Sequence, residues 1–229
     1  MALFPLIIVA YLIGSIPLAY LIARFVRGVD LRKYGSGNVG SSNVLQVTSK
    51  RWTLPVALFD VSKGLLAVWL TRWAGLDILP QFMVGITAVA GHNWPVFLGF
   101  RGGRGILSTL GVILAFSPLL GLFMAIIAFS MAPFKNMSLG VFIGLLALPV
   151  LTYYFADFFG IQEPAATTGG FAALTVLALG RRLVWRRSEV ASGLSTRELL
   201  LNRLLFDRDI RDRKVWITRP ENTGSKALS

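Results

Sequence analysis

The residues best suited to chemistry in this sequence form a short loop of glycine and arginine between two apolar segments. The loop reads Arg101-Gly102-Gly103-Arg104-Gly105. Free backbone N–H groups at the start of a helix attract an anion, and guanidinium groups add bidentate hydrogen-bond donors. The pattern therefore predicts a phosphate or carboxylate site, although it lacks the ending of a Walker A loop. The alternative is that the arginines only anchor a helix end at a membrane face, which does not explain the glycines.

A second candidate is the stretch rich in glycine and serine between residues 30 and 50. Its glycines allow backbone conformations that other residues avoid, so that successive N–H groups can surround an anion. The candidate substrate-binding residues in this stretch are Ser36, Gly37, Asn38, Gly40, Ser42 and Asn43. The alternative is a flexible polar connector.

Three ionisable residues, Asp60, Lys63 and His92, lie within apolar segments or at their ends. Charged groups in a membrane are costly and usually face the protein interior. Asp60 and Lys63 are three positions apart, so they share a helix face and can pair. An internal ion pair and a substrate-binding role for Lys63 both fit this spacing. His92 stands beside Asn93 and shortly before Arg101, which favours a place for both residues at the site.

A third polar turn, Lys135-Asn136-Met137-Ser138, separates two later apolar segments. This turn supports the predicted site because the topology places it on the same membrane side as the two glycine-rich loops. Three polar loops that meet at one membrane face would suit an anionic headgroup whose apolar part enters between helices. Ser138 is therefore a further candidate substrate-binding residue.

The composition indicates what kind of protein positions these residues. Of 229 residues, 55% are hydrophobic and 15% are charged, and the mean hydropathy is +0.66. Soluble domains average about 45–50% apolar and about 25% charged residues. These values exclude a disordered chain and predict an integral membrane protein. With no Cys and one His, thiolate and multi-histidine metal sites are excluded, and neither a metal nor a cofactor is predicted.

The predicted fold is an all-α integral membrane bundle of seven transmembrane helices. A span needs about 20 mostly apolar residues. The candidate spans are residues 3–23, 54–71, 79–98, two within 105–134, 138–156 and 166–184. The long stretch 105–134 divides near Ser117-Pro118, and six spans remain if Pro118 only kinks a helix there.

Basic residues are concentrated in the loops on one side of this arrangement. Before the tail, that side holds Arg24, Arg27, Arg32, Lys33, Lys50, Arg51, Arg101, Arg104 and Lys135, whereas the opposite loops hold Arg72. Positive loops face the cytoplasm, so the N-terminus is predicted outside and the C-terminus in the cytoplasm. Six spans would spoil the asymmetry. Because topology explains the net charge of +12, no nucleic-acid binding is predicted.

The chain is predicted to divide into a membrane domain, residues 1–184, and a basic cytoplasmic tail, residues 185–229. Within the tail, residues 195–206 have the pattern of a short amphipathic helix with Ser195 or Thr196 as N-cap. Such a helix would either lie on the anionic inner leaflet or pack against the loops, and both interpretations stay open.

Three stretches resemble one family of bacterial enzymes. They read Lys33-Tyr-Gly-Ser-Gly-Asn-Val-Gly-Ser-Ser-Asn-Val-Leu45, Phe59-Asp-Val-Ser-Lys-Gly64 and Gly91-His-Asn-Trp-Pro-Val-Phe-Leu-Gly-Phe-Arg-Gly-Gly-Arg-Gly105. In order and spacing they are similar to the acyl-phosphate:glycerol-3-phosphate acyltransferases, the PlsY family, over about residues 1–184. The resemblance implies a seven-span enzyme of the bacterial inner membrane with its active site facing the cytoplasm.

The resemblance also implies an activity. The enzyme would move a fatty acyl group from acyl phosphate to the 1-hydroxyl of glycerol 3-phosphate, giving lysophosphatidic acid and phosphate for phospholipid synthesis. Its partners would be these two substrates and membrane lipids, with no metal or cofactor. By position, the resemblance assigns to the site Ser36, Asn38, Gly40, Asn43, Lys63, His92, Arg101, Gly102, Gly103, Arg104 and the turn Ser138-Leu139-Gly140.

Two departures from the family pattern fall on the acceptor side. Gln46 stands where the resemblance expects an Arg that holds the glycerol phosphate. The His-Arg-Glu-Asn-type motif after the last span is replaced by Arg181-Arg-Leu-Val-Trp-Arg-Arg187, in which Arg181, Arg182 or Arg186 could supply the lost charge. A diverged acyltransferase with another acceptor is therefore one alternative.

The predicted mechanism places the phosphate of acyl phosphate on the Arg101–Arg104 loop, where cations and N–H groups stabilise the leaving group. The catalytic candidates are His92, Arg101 and Arg104. The base would be His92 or the substrate phosphate, and the resemblance favours the phosphate. No Ser–His–Asp arrangement is evident, so no acyl-enzyme is predicted. The competing class is a seven-span transporter or lipid-phosphate binding protein, which would place its site near the bilayer midplane.

Overall fold

The computed structural model describes residues 2–184 and 187–218, and every regular element in these ranges is a helix. Residue 1, residues 185–186 and residues 219–229 lie outside this description, so Arg186 and the two ends of the predicted tail are not placed. The α-helices are α1 (Leu3–Ser15), α2 (Leu18–Arg27), α3 (Ser41–Val47), α4 (Lys50–Trp73), α5 (Ile78–Asn93), α6 (Ile106–Phe116), α7 (Pro118–Ser130), α8 (Met137–Tyr154), α9 (Pro164–Leu183), α10 (Thr196–Phe206) and α11 (Arg213–Ile217).

Three segments of the described ranges are long and apolar enough to cross a bilayer. They are Leu3–Arg27, Lys50–Trp73 and Met137–Tyr154. The first consists of α1 and α2, which are separated at Pro17. Proline has no N–H and disfavours helical backbone at the residue before it, and Ile16 is accordingly extended.

The apolar stretch 105–134 divides into two helices at Ser117, where the sequence predicts a break. The Ser117 hydroxyl accepts a hydrogen bond from the Leu120 amide at 3.1 Å and donates one to the Phe159 carbonyl at 2.7 Å. Pro118 then occupies the first helical position, where no N–H is needed. At 1.5 Å per residue, α6 and α7 are about 16 and 20 Å long. Each is shorter than the hydrocarbon core of about 30 Å.

The predicted span over residues 79–98 extends too far at its C-terminal end, because α5 ends at Asn93. Pro95 cannot donate to the helix ladder and pushes Trp94 out of helical backbone. A short 3₁₀ turn, Val96–Leu98, follows. This early end leaves Asn93 and the whole segment up to Gly105 free to form a loop above the bundle.

The helices pack around a close crossing of α4 and α6. A Cβ atom at Gly64 would overlap the carbonyl oxygen of Ser108, and a Cβ atom at Gly111 would overlap the carbonyl oxygen of Val61. The two backbones therefore touch, as small residues permit in membrane bundles. The Ser108 hydroxyl also donates to the Asp60 carbonyl at 2.9 Å. Helix α5 packs against both α1 and α4, while α7, α8 and α9 pack in sequence on the other side.

The connecting loops gather in two groups. One cavity joins residues of the 30–50 stretch, Arg104 and the Lys135 turn. A different cavity joins Arg72, Asp77 and residues 160–163. The loops that the charge pattern assigns to one side thus meet one another, and so do the loops that it assigns to the other side.

The described part of the tail is folded onto the bundle. Helix α10 packs against α8 and α9, and its N-cap is Ser195, whose hydroxyl accepts from the Glu198 amide at 3.2 Å. The buried side of α10 includes Leu199, Asn202 and Arg203. Of the two arrangements predicted for this helix, the structure therefore has the one in which α10 packs against the bundle.

The close crossing of α4 and α6 gives a stability prediction. We expect Gly64→Ala to cost about 1–3 kcal/mol, because its methyl group forces two backbones apart. In a chain of this size, each kcal/mol lowers the melting temperature by about 2–4 °C. The matched control is Gly169→Ala in α9, where an added Cβ meets only open space. Thermal unfolding in detergent measures both, and equal melting temperatures for the two variants would contradict the prediction.

Candidate functional site

Asp60, Lys63 and His92 form a buried cluster of ionisable side chains. The Lys63 ammonium lies 2.9 Å from Asp60 Oδ1, and His92 Nδ1 lies 3.4 Å from both of them. Asp60 and Lys63 are each 2% exposed, and His92 is 8% exposed. The pair that the spacing allows is therefore formed within α4, and His92 at the end of α5 contacts it.

His92 connects this cluster to the arginine loop. The Gly103 amide donates to the His92 carbonyl at 3.0 Å, and a Cβ atom at Gly103 would overlap the His92 ring at Nε2. A Cβ atom at Gly102 would likewise meet the His92 carbonyl and the Pro95 ring. Both glycines are required by packing, so they do not by themselves indicate an anion. They hold the loop down on the buried cluster.

Asn93 has a buried side-chain amide whose two polar atoms find no hydrogen-bond partner within the described ranges. The residue is fully buried and lies against Gly105, at the start of α6. A buried amide without partners is costly. The arrangement therefore favours a polar ligand near this helix start.

The loop between α2 and α3 is held together by Asn43. Its side-chain oxygen accepts from the Ser36 amide at 2.9 Å, and its amide group donates to the carbonyls of Leu31 and Tyr34 at 3.1 and 3.0 Å. Asn43 is fully buried. Its geometry is that of a residue that shapes the loop, while Ser36, Asn38 and Ser42 face a cavity.

That cavity, which we call the loop cavity, has a volume of about 300 Å³. The three polar turns that the sequence singles out contribute Ser36, Asn38, Ser42, Arg104, Lys135 and Ser138. The tail supplies another wall through Phe206, Asp207, Arg208, Arg213, Trp216 and Ile217. The sequence predicts that the three turns meet at one face, but it does not predict the wall that the tail supplies. The only signal for it is the dense run of charges from Asp207 to Arg213.

A second cavity, which we call the aromatic cavity, has a volume of about 520 Å³. Its lining combines aromatic and cationic side chains, namely Arg32, Lys33, Trp94, Phe100, Arg101 and Arg181. The Arg181 guanidinium lies 5.4 Å from the centre of the Trp94 ring and donates to the Asn93 carbonyl at 3.3 Å. Arg32 pairs with Asp30 at 2.7 Å, and its hydrogen bond holds the pKa of the Asp30 carboxyl below the usual value.

The structure does not bring Arg101 and Arg104 to one cavity. Arg101 is exposed and lines the aromatic cavity, whereas Arg104 is 7% exposed and lines the loop cavity. The reason is that Gly102 and Gly103 lie flat on His92 and Pro95, so the two arginines leave the loop in different directions. The segment 36–38 divides in the same way, since Gly37 lines the aromatic cavity and its two neighbours line the loop cavity.

Arg104 is paired across a long sequence distance. Its Nε lies 2.8 Å from Asp207 Oδ1, beyond the end of α10. The segment that carries Asp207 is anchored by Asp209, which pairs with Arg203 at 2.7 Å and accepts from the Ser188 amide at 2.8 Å. Burial raises the pKa of the Asp209 carboxyl, but these contacts outweigh it and hold that pKa below the usual value.

Arg182 links the start of α8 to the tail. Its guanidinium donates to the Ser138 carbonyl at 3.1 Å and to the Leu204 carbonyl at 2.6 Å. Arg182 therefore stabilises the contact between α8 and the tail, while Arg181 faces the aromatic cavity.

In the residues that the structure describes, no three His, Asp or Glu side chains form a group that could hold a metal ion.

Comparison with known proteins gives one consistent result. A family model described as glycerol-3-phosphate acyltransferase matches residues 4–194. The chain is 50% identical over 209 residues to glycerol-3-phosphate acyltransferase 4 of Dehalococcoides mccartyi (strain CBDB1), covering 91% of this chain and 90% of the relative. It is 42% identical over 149 residues to a glycerol-3-phosphate acyltransferase of Thermoanaerobacter sp. (strain X514), covering 65% and 75%.

The fold is similar to a solved membrane protein. The crystal structure of PlsY (YgiH), an integral membrane glycerol 3-phosphate acyltransferase, in its glycerol 3-phosphate form, matches with a TM-score of 0.71 at 31% identity. The match covers 80% of this chain and 88% of that chain. The lysophosphatidic acid form of the same protein matches with a TM-score of 0.69 at 30% identity.

The buried cluster gives a second stability prediction. Lys63→Met leaves the Asp60 carboxylate without its ammonium partner, so we expect a loss of about 3–5 kcal/mol. The double variant Asp60→Asn/Lys63→Met removes both charges and should recover part of that loss. Melting temperatures in detergent compare the single and double variants with the unmodified protein. A single variant as stable as the unmodified protein would show that the Asp60–Lys63 pair does not stabilise the fold.

Proposed function

The chain belongs to the glycerol-3-phosphate acyltransferase family, the PlsY family, and is a membrane enzyme of phospholipid synthesis; we propose that its two cavities hold its two substrates. The enzyme acylates glycerol 3-phosphate. We take acyl phosphate as the acyl donor, the 1-hydroxyl as the acceptor atom, and lysophosphatidic acid and phosphate as the products. The observation that carries this assignment is the pair of cavities on either side of segments 36–38 and 101–104.

The loop cavity suits the acceptor. Glycerol 3-phosphate is small and wholly polar, and the loop cavity offers hydroxyls and amides from Ser36, Asn38, Ser42 and Ser138 together with nearby cations. We assign these side chains to acceptor binding. Asn43 and Lys63 support the cavity from below, by shaping its loop and by pairing with Asp60.

The aromatic cavity suits the donor. Acyl phosphate has an anionic head and an apolar chain, and this cavity places Arg101 and Arg181 beside Trp94 and Phe100. Guanidinium groups bind phosphate bidentately, and aromatic rings offer apolar surface to the first part of the chain. The rest of the chain then lies along the lipid-facing surface of the bundle.

The chemistry is a single displacement at the acyl carbon. The acceptor hydroxyl attacks the carbonyl, a new C–O ester bond forms, and the acyl C–O bond to phosphate breaks. The departing phosphate takes the hydroxyl proton, while Arg101 in the aromatic cavity stabilises the charge that develops. Arg104, which is paired with Asp207, lies on the acceptor side. His92 is held under Gly103 with its Nδ1 in the ion cluster, so we assign it to positioning the loop. The buried amide of Asn93 supplies a polar contact near the start of α6.

The membrane arrangement is part of the proposal. We propose seven spans in a bacterial inner membrane, the N-terminus outside, the C-terminus and both cavities on the cytoplasmic side, residues 1–184 as the membrane domain and residues 185–229 as the tail. The loops that meet at the loop cavity also carry most of the basic residues, and positive loops face the cytoplasm. In this arrangement α6 and α7 cross a locally thinner part of the bilayer.

The activity can be measured directly. The purified protein in detergent should transfer the acyl group of palmitoyl phosphate to radiolabelled glycerol 3-phosphate without added metal or nucleotide. Arg101→Ala should lower kcat by about 100-fold, because it removes a donor to the leaving phosphate. Arg24→Ala is the control, since Arg24 is exposed and its guanidinium donates to the nearby Gly28 carbonyl. Full activity of Arg101→Ala would refute the assignment of the donor site.

The topology can be tested because the sequence has no Cys. Single variants Lys50→Cys and Asp157→Cys place a thiol in an exposed position of each loop group. A membrane-impermeant maleimide should label Asp157→Cys in intact cells and Lys50→Cys only after the membrane is opened. The reverse pattern would invert the proposed orientation.

A further inference from the structure

The tail wall of the loop cavity lies beyond the part of the chain that the family model matches. That match ends at residue 194, whereas Asp207, Arg208, Arg213 and Trp216 line the cavity. Residues outside the matched region thus complete a site whose other walls lie inside it. What these residues add to the cavity is mainly charge.

Positive charge in the loop cavity exceeds negative charge. Arg104 and Asp207 face each other as an ion pair at 2.8 Å, and their charges offset one another. The cavity then still holds the cations Lys135, Arg208 and Arg213. A pocket with this surplus attracts an anion.

Arg208 and Arg213 are the cations that the tail contributes. Arg208 is half-buried, and its Nε is buried without a hydrogen-bond partner among the residues described. Burial lowers the pKa of the Arg208 guanidinium, and the nearby Arg213 lowers it further. Two guanidinium groups that repel each other beside a cavity gain from an anion placed between them.

Gln46 lines the same cavity without adding charge. Its amide donates to the Ser42 carbonyl at 3.1 Å, one turn earlier in its own helix. The position on α3 therefore supplies a neutral group. The cationic side chains of the cavity come instead from the loops and from the tail.

We propose that Arg208 and Arg213 bind the phosphate group of glycerol 3-phosphate in the loop cavity. This inference rests on the proposed function and names the residues that recognise the acceptor. A phosphate monoester carries up to two negative charges and three acceptor oxygens at neutral pH, which two arginines can meet with charge-assisted hydrogen bonds. The tail is then a specificity element that selects a phosphorylated alcohol over an uncharged one.

The test compares apparent constants for the two substrates. Arg208→Gln, Arg213→Gln and the double variant are assayed with palmitoyl phosphate and glycerol 3-phosphate. We expect each single variant to raise KM for glycerol 3-phosphate about tenfold, as the loss of a charge-assisted contact does. KM for palmitoyl phosphate and kcat should change little. Arg213→Lys, which keeps the charge, should retain part of the affinity.

The matched control is Arg197→Gln, which makes the same chemical change on the exposed face of α10, away from the cavity. It should behave as the unmodified protein does. If Arg208→Gln unfolds because the residue is half-buried, Arg213→Gln decides alone, since Arg213 is exposed. Melting temperatures in detergent identify that case.

The outcomes separate this inference from the function on which it rests. No transfer to glycerol 3-phosphate by the unmodified protein would overturn the proposed function itself. Normal transfer by the unmodified protein, with an unchanged KM for glycerol 3-phosphate in Arg213→Gln, would overturn the role of the tail. A raised KM in Arg197→Gln as large as that in Arg213→Gln would also overturn it, because only net charge would then matter.

Discussion

The structure depends on the pairing of charge inside an apolar bundle. Asp60 and Lys63 lie on one face of α4 with their charged atoms 2.9 Å apart, and both are shielded from solvent. A single charge in this place would cost several kcal/mol of folding free energy, about 3–5 by the measured loss of one partner from buried pairs. Since each charge requires the other, the two groups stay paired within α4, and His92 at the end of α5 contacts that pair at 3.4 Å.

The loop that follows α5 packs directly on the buried cluster. His92 supports Gly103 through a backbone hydrogen bond and through ring contact. The flat glycine pair then sends Arg101 and Arg104 to opposite cavities. The buried cluster is thus linked, through His92 and the two glycines, to the loop that carries both arginines. The division also separates an amphiphilic pocket from a polar one, which is what two substrates of unlike chemistry need.

The sequence was sufficient for features that rest on local chemistry. The break at Ser117 follows from a capping hydroxyl and a proline, and the Asp60–Lys63 pair follows from helix periodicity. The meeting of three polar turns followed from counting loop charges. Two features could not be predicted in this way. The split between Arg101 and Arg104 depends on how Gly102 and Gly103 pack on His92, and the contact between Arg104 and Asp207 joins residues far apart in the chain.

The ion pair between Arg104 and Asp207 has a consequence for biosynthesis. The ribosome synthesises Asp207 after all the apolar helices. The loop cavity therefore lacks its tail wall while those helices enter the membrane. That side closes only after the residues of its tail wall, up to Ile217, have been synthesised. A nascent chain therefore holds its apolar helices before the residues of the tail complete the loop cavity. A ribosome that stalls late would leave a well-inserted but unfinished protein.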